Sequence, residues 1–421
     1  MSGRLVLRTR NQITAFTVGV TLLLTQSAFA SAILEGQRMH PVQGKEGMVV
    51  TSHFLATQSA QKVLKNGGNA IDAAVTAAFS LAVTQPRSGN IGGGGFMLIS
   101  SEENNDVIAI DYREKAPGKA TVDMFLDKDG NADSNVSRYS YLAAGVPGSV
   151  AGLAMALEQY GTISLKDALA PAIKLAQEGF IVTPRFSQGL KKKEDMLKKW
   201  PSSAKIFYKP DGSYYEPGDT FIQKDLAATL NRIAENGVKE FYEGKTAEML
   251  VAEMAKHGGL ITLEDMKNYT PGMRTPVHGS YRGYDIYSMS PPSSGGTHVV
   301  QILNTLEGYP IGEYGHNSAL TIHLMAEAMK LAYADRSYYL GDEDFVKVPL
   351  KGLTSKKYAA SLREKIDINK ATDSSTIAPG KVLPYESNET THFSIVDKFG
   401  NAVSNTYTIN FSYGSGIVVE G

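Results

Sequence analysis

The 421 residues contain no cysteine and a single tryptophan. The absence of cysteine excludes a disulfide framework, a thiolate metal site and a cysteine nucleophile. Excess charge is also missing: 42 Lys and Arg stand against 43 Asp and Glu, for a formal net charge of −1. The broad basic face that non-specific nucleic-acid binding requires is therefore not expected. No apolar run reaches the roughly 18 residues that suggest a membrane span, so no membrane partner is expected either. Low-complexity linkers and internal repeats are absent. What is present is an ordinary globular composition, 42% hydrophobic and 20% charged, with enough apolar side chain to offset the ordering of the chain.

The first thirty residues read as an address. Arg4, Arg8 and Arg10 precede an apolar stretch from Ile13 to Leu24, and Ala28-Phe29-Ala30 follows as a small-x-small cleavage signal. This is the pattern of a bacterial secretory signal peptide, with the periplasm as the expected destination. Removing residues 1–30 takes away three Arg and no acid, so the remainder carries 39 − 43 = −4.

Beyond it, helix and strand signals alternate, which points to α/β or layered α+β architecture. Residues 53–65 read as a helix closed by Gly67 and Gly68. A small-residue helix over 70–83 follows, with Asn69 as N-cap. Strands are expected at 96–100 and 107–112. Ser164 to Asp167 and Thr262 to Asp265 carry capping-box spacing, and the first opens a helix that ends at Gly179. A long helix is expected over 318–336. The chain closes with strands at 391–397 and 401–410 around the turn Lys398-Phe399-Gly400.

Several motifs invite a chemical reading, and most read better as structure. The lysines at 191–193, 198 and 199 are interrupted by Glu194 and Asp195, as on a solvated helix face. Asp127-Lys128-Asp129-Gly130 lacks the spacing of a calcium loop and reads as a polar turn. His298, His316 and His323 have no partner at metal spacing, so no metal site is expected. The run Gly92-Gly93-Gly94-Gly95 precedes a strand and lacks both GxGxxG and a Walker lysine, so it reads as close strand packing. Ser149 and the Pro291–Thr297 segment fail the G-x-S-x-G elbow and read as glycine-rich loops. Thr390-Thr391-His392, taken alone, is a strand start after a polar loop.

Taken in order, these segments carry more. Gly67 to Ala74, Ile91 to Met97, Asp111-Tyr112-Arg113-Glu114 with Ala116-Pro117, Gly145 to Gly148, Pro292 to Gly296 and Thr390-Thr391-His392 together resemble the gamma-glutamyltransferase (gamma-glutamyl transpeptidase) family in its bacterial periplasmic form, from about residue 40 onward. The resemblance implies an α+β fold, the four-layer αββα sandwich of N-terminal-nucleophile hydrolases. It implies a precursor that cuts itself between Glu389 and Thr390 into large and small subunits. Residues 1–30 would then be signal peptide, 31–389 the large-subunit region and 390–421 the start of the small-subunit region.

The implied chemistry suits the residue types. A threonine hydroxyl needs a base, and the α-amine freed at Thr390, with an ordinary pKa near 7.7–8.0, supplies one. The donor implied is glutathione or another γ-glutamyl compound, and the acceptor is water, an amino acid or a dipeptide. No cofactor is implied, because one acyl bond is exchanged for another. Residue by residue, Arg113 resembles the arginine that pairs with the donor α-carboxylate. Thr408 resembles the threonine that orients the nucleophile, and Asn410 the asparagine that contacts the glutamyl group. In the family the small subunit runs much further, supplying two Gly oxyanion donors, a Ser-Ser pair and an acid. Only 421 − 389 = 32 residues follow the cut here, so the resemblance implies a sandwich incomplete at the C-terminus and a C-terminally truncated chain. Alternatives are an acylase of the same fold, acting on glutaryl or poly-γ-glutamate substrates, and a fragment impaired in catalysis.

Overall fold

The computed structural model describes residues 43–377 and 390–421. The expected signal peptide and Glu389 lie outside the described residues. The described residues from Lys45 onward fold together as one unit.

Its elements run, in chain order, β1 (Gly47–Val50), α1 (Phe54–Lys65), α2 (Ala70–Thr84), β2 (Gly94–Ser101), β3 (Asp106–Asp111), α3 (Ser149–Tyr160), α4 (Leu165–Glu178), α5 (Lys224–Asn236), β4 (Gly272–Arg274), β5 (Val277–Tyr281), β6 (Tyr284–Ser288), α6 (Ser294–Leu306), α7 (Ala319–Tyr339), α8 (Lys356–Arg363), β7 (Thr390–Asp397) and β8 (Ala402–Thr408), with shorter helices and strands between them. Among the described residues six strands form one antiparallel sheet in the order β1-β7-β8-β2-β3-β4. The chain therefore places its last two strands in the centre, between β1 and β2.

Local sequence explains the element boundaries. His53 caps α1, its Nδ1 accepting the Leu55 N–H at 3.3 Å, and the helix gives way to Gly67 at φ +94°, a left-handed turn that glycine adopts without steric cost. Asn69 and Asp72 form a full capping box on α2. All fifteen residues of α2 are buried, which its many alanines allow by letting α1, α3 and α4 approach closely.

The sheet has two unlike faces. Thr391, Phe393, Ile395 and Asp397 of β7 and Val403, Asn405 and Tyr407 of β8 are buried, and α2 packs on both strands. The alternate residues His392, Ser394, Val396 and Ser404 are exposed. Full burial of side chains such as Phe393 and Ile395 contributes about 1.5–3 kcal/mol each. The two largest buried phenols are also satisfied: Tyr112 donates to Asn405 Oδ1 at 2.6 Å and Tyr407 to the Ala78 carbonyl at 2.7 Å.

Two buried carboxylates join elements distant in sequence. Asp397 closes the β7–β8 turn by accepting the N–H groups of Phe399 and Asn401, and its other oxygen accepts the Ala70 N–H at the start of α2. Asp72, fully buried, accepts from the Asn69 and Ile163 N–H groups and from both the N–H and hydroxyl of Thr162.

A second, smaller core of Leu306, Leu324 and Ala328 joins α6 and α7, with α8 and the β5–β6 hairpin packed against α6. Here His298 pairs through Nδ1 with Gln301 at 2.7 Å, and Gln301 and Tyr358 both donate to Asp335.

The Ser149 and Pro291–Thr297 segments are corrected from glycine-rich loops to helix starts. Ser149 is the first residue of α3, and Ser293 caps α6 by accepting the Gly295 N–H. The expected strand 401–410 ends at Thr408. The Thr408 hydroxyl accepts the Asn410 N–H at 2.8 Å, and Asn410 lies at φ +68°, a conformation that ends a ladder.

Replacing Asp72 by Ala should remove the acceptor shared by four partly buried or exposed donors, those of Asn69, Thr162 and Ile163, and cost about 1–3 kcal/mol. Urea unfolding should show this as a lower midpoint, and an unchanged midpoint would refute the linking role of the carboxylate.

Candidate active site

Strand β7 opens at Thr390, and the antiparallel register sets Thr390 opposite Thr408 at the far end of β8. The next partner of β8 is β2, with Thr408 opposite Gly94. This end of the sheet borders a cleft of about 940 Å³ whose walls include Gly92, Gly93, Arg113, Glu114, Thr408 and Asn410. Of the residues singled out from sequence, Arg113, Thr408 and Asn410 thus share one cavity, and Thr390 is joined to it through the backbone register. Glu389 is outside the described residues.

The glycine run explains how the walls come together. A Cβ on Gly93 would stand 2.2 Å from the Thr408 carbonyl oxygen, and one on Gly94 would stand 2.6 Å from the Tyr112 carbonyl. Gly95 is as tight against Thr406 and Tyr407. Close packing is therefore the role of Gly93, Gly94 and Gly95, whereas a Cβ on Gly92 would meet open space. The Gly93 carbonyl also accepts two N–H groups from the start of α3, those of Gly148 and Ser149. Buried Asn90 completes the clasp: its Oδ1 accepts the Gly93 N–H at 2.8 Å and the Ser149 hydroxyl at 2.7 Å. Ser149 is thereby a buried structural donor rather than a nucleophile.

Behind the strand start lies a polar network. Thr391 is buried, and its hydroxyl is bonded to Ser52 Oγ at 2.7 Å and to Gln85 Nε2 at 3.3 Å. Gln85 also reaches Ser88. On the other face of β7, His392 pairs with Thr406 at 2.7 Å, and partial desolvation of its ring holds the imidazole below the ordinary range.

Arg113 is exposed and lies just past the end of β3, its guanidinium carbon 5.9 Å from the centre of the Phe96 ring. Its N–H donates to Asp111 Oδ1 at 3.1 Å, and its carbonyl accepts from the Tyr269 hydroxyl at 2.8 Å. Arg274 Nε stands 3.3 Å from the other Asp111 oxygen, and its two terminal nitrogens grip Asp344 at 2.6 and 2.9 Å. That grip holds the Asp344 carboxyl below its usual range. Glu114 is pushed up by burial, against the opposing pull of main-chain hydrogen bonds and of Arg113.

Sequence reasoning missed Asn90, Tyr269 and Arg274. The Asp111–Glu114 segment was legible as a unit, but Tyr269 lies 156 residues from Arg113, and no local pattern connects them. Other motifs resolve as structure. Lys191 pairs with Glu216, and Lys198 with Glu194. Asp127 accepts the Asp129 and Asn131 N–H groups of its own turn. His316 is bonded to Asn317 and His323 to the Asp367 carbonyl. Among the described residues no group of three His, Asp or Glu side chains could hold a metal ion, and no helix is long and apolar enough to cross a membrane.

What the cleft offers chemically is a cation on one wall, hydroxyl and amide groups on another, and a threonine that begins a central strand. Known proteins share this arrangement of chain. The family model described as Gamma-glutamyltranspeptidase matches residues 56–421. The glutathione hydrolase proenzyme of Escherichia coli (strain K12) is 53% identical over 412 residues, covering 95% of this chain and 71% of that protein. The acylase ACY 1 proenzyme of Pseudomonas sp. (strain SE83) is 41% identical, covering 90% of this chain and 68% of that protein. Among solved structures, the Helicobacter pylori gamma-glutamyltranspeptidase superposes with a TM-score of 0.79 at 50% identity, over 83% of this chain and 100% of that one.

Gly93→Ala should force β2 and β8 apart at Thr408. The expected cost is about 1–3 kcal/mol, as for other overpacked sites, read as a lower melting temperature. A variant as stable as the parent would show that the glycine is not required by packing.

Proposed function

The chain belongs to the gamma-glutamyltranspeptidase family, an enzyme family with the α+β fold of N-terminal-nucleophile hydrolases, and from that premise we propose that it is a self-cleaving glutathione hydrolase and γ-glutamyltransferase with Thr390 as nucleophile. The observation that carries the reading is the register of Thr390 against Thr408, at the end of the sheet that borders the cleft lined by Arg113 and Asn410.

In the precursor the Thr390 hydroxyl attacks the Glu389 carbonyl. The peptide bond becomes an ester, and water hydrolyses it. The products are a large subunit ending at Glu389 and a small one beginning with the free α-amine of Thr390. That amine, with an ordinary pKa close to neutrality, takes the proton from its own Oγ. The hydroxyl oxygen then attacks the γ-amide carbonyl of glutathione or a related donor, and the departing amine leaves with a proton. The γ-glutamyl ester passes to water, an amino acid or a dipeptide.

In this scheme Arg113 pairs with the donor α-carboxylate, for which a guanidinium offers a two-pronged match. Thr408 orients the Thr390 hydroxyl, and Asn410 contacts the glutamyl group. Asn410 suits that task because its left-handed backbone ends the strand at the cleft. The N-terminal arginines, apolar stretch and Ala28-Phe29-Ala30 support export to the periplasm as the setting. A second reading, an acylase of the same fold, is favoured by the 41% identity to the acylase proenzyme. Arg113 suits both readings, since a glutaryl group ends in the same terminal carboxylate and lacks only the α-amine; the two are separated by whether the cleft requires that amine.

Intact mass spectrometry should find two fragments meeting at Glu389 and Thr390. Thr390→Ala should abolish both the cut and the release of chromophore from γ-glutamyl-p-nitroanilide. Turnover by that variant would overturn the assignment of the nucleophile, and preference for glutaryl-p-nitroanilide would favour the acylase.

A further inference from the structure

We propose that Tyr269 is a positioning residue for Arg113, and that through it the cleft sets how strongly it prefers ligands carrying an α-carboxylate. The inference rests on the assignment of Arg113 as the carboxylate partner.

Arg113 is poorly fixed by secondary structure. Strand β3 ends at Asp111, so the ladder that holds Asp111 does not reach the arginine. Tyr112 is anchored beneath it, with its ring in the core and its hydroxyl on Asn405. At Arg113 the chain turns out to the cleft, and its two main-chain polar groups would be free to reorient. Both are instead held by side chains. Asp111 Oδ1 accepts the N–H, and the Tyr269 hydroxyl donates to the carbonyl at 2.8 Å. With both groups tied, the direction in which the side chain leaves the main chain is set before any ligand arrives. A preset cation loses less freedom on binding than a mobile one.

Tyr269 is itself held so that its hydroxyl stays aimed. The residue is only 7% exposed. Its ring stacks on Tyr242, with centroids 5.7 Å apart and planes 10° apart. The Tyr242 hydroxyl in turn donates to the Pro147 carbonyl and accepts the Ala151 N–H, which fixes the pair to the start of α3. On the outer side the Lys115 ammonium lies 5.3 Å from the ring centre and donates to the Thr270 carbonyl. Burial raises the Tyr269 phenol well above its usual range, so it remains a donor throughout the physiological range. Gly148 leaves room for the bond. A Cβ there would stand 2.0 Å from the Tyr269 hydroxyl oxygen and 2.1 Å from the Tyr112 carbonyl. The tyrosine therefore reaches Arg113 through a gap that only glycine leaves open.

A second tier supports the N–H side. Arg274 holds the free oxygen of Asp111 and is itself gripped by Asp344. Tyr269 and Arg274 lie five positions apart on the stretch entering and forming β4, the edge strand paired with β3. One segment of chain therefore fixes Arg113 from both ends of its peptide plane pair.

The test is equilibrium binding to the full chain, measured by calorimetry with two probes. L-glutamate carries the α-carboxylate, and 4-aminobutyrate is the same skeleton without it. The parent chain should prefer L-glutamate, and Arg113→Ala should abolish the preference. Tyr269→Phe removes only the hydroxyl. It should weaken L-glutamate about five-fold, the effect of one neutral hydrogen bond, and leave 4-aminobutyrate unchanged. Tyr242→Phe, which touches the same packing but not Arg113, should leave the ratio of the two affinities at the parent value even if it lowers the melting temperature. If Tyr269→Phe keeps the parent ratio while Arg113→Ala abolishes it, Tyr269 only packs and the inference is overturned. If the parent binds both probes equally, or Arg113→Ala retains the preference, the assignment of Arg113 fails and the inference falls with it.

Discussion

The close passage of the Gly93–Gly95 backbone beside residues 406–408 sets the geometry of everything around the cleft. Antiparallel neighbours normally keep side chains between them and the next layer. Here three successive residues have none, and the contacts are backbone to backbone. Thr408 is thereby held against the same glycine stretch that receives the start of α3 and that faces the Tyr112–Arg113 backbone. Any side chain at Gly93 or Gly94 would move one of these partners away from the others. Four segments remote in sequence meet at the cleft because a short stretch of chain has no Cβ atoms to keep them apart.

Buried polar groups then fix what the glycines bring near. Asn90 ties the Gly93 N–H to Ser149, Asp397 ties the β7–β8 turn to the start of α2, and Asp72 ties α2 to residues 162 and 163. Each group is satisfied several times over by short bonds. This matters because an unpaired buried polar group costs on the order of 1–3 kcal/mol. A displacement at the cleft would have to break both Asn90 bonds together. The central strands are therefore rigid on the helix side, while the opposite face of β7 and β8 carries the exposed His392, Ser394, Val396 and Ser404. Rigidity behind suits a site in which ligand groups must meet fixed side chains.

Much of this was legible in the sequence because it depends on local chemistry. The caps at Asn69, Ser164 and Thr262, the glycine that follows α4, and the β7–β8 hairpin are written in neighbouring residues, and each stands within a residue or two of its expected place. The helix starts at Ser149 and Ser294 were not legible. Their glycines suggest turns, and only packing against β3 and the β5–β6 hairpin shows that the chain continues as helix. The strand end at Thr408 was missed for a similar reason, since Ile409 and Asn410 continue the alternation until a hydroxyl-to-amide bond and a left-handed Asn interrupt it. The residues of the site divide the same way. Thr390, Arg113, Thr408 and Asn410 stood out through short motifs with a family resemblance. Asn90, Tyr269 and Arg274 act through bonds spanning up to 163 positions, which no window on the sequence contains.

That division has a physical basis. A residue that touches a ligand must present a particular functional group, so its type is constrained wherever it sits. A residue that holds it in place needs only a donor or acceptor at the right point, and many backbones could supply one. Tyr269 illustrates the difference. A phenol is common in a core, and its ring alone would signal only packing. What singles it out is where its hydroxyl ends, on the carbonyl of an exposed arginine, and the missing side chain at Gly148 that leaves space for the approach. The cation that would meet a carboxylate and the phenol that fixes its main chain are thus parts of one device. The first can be found from sequence, and the second only from the fold that joins them.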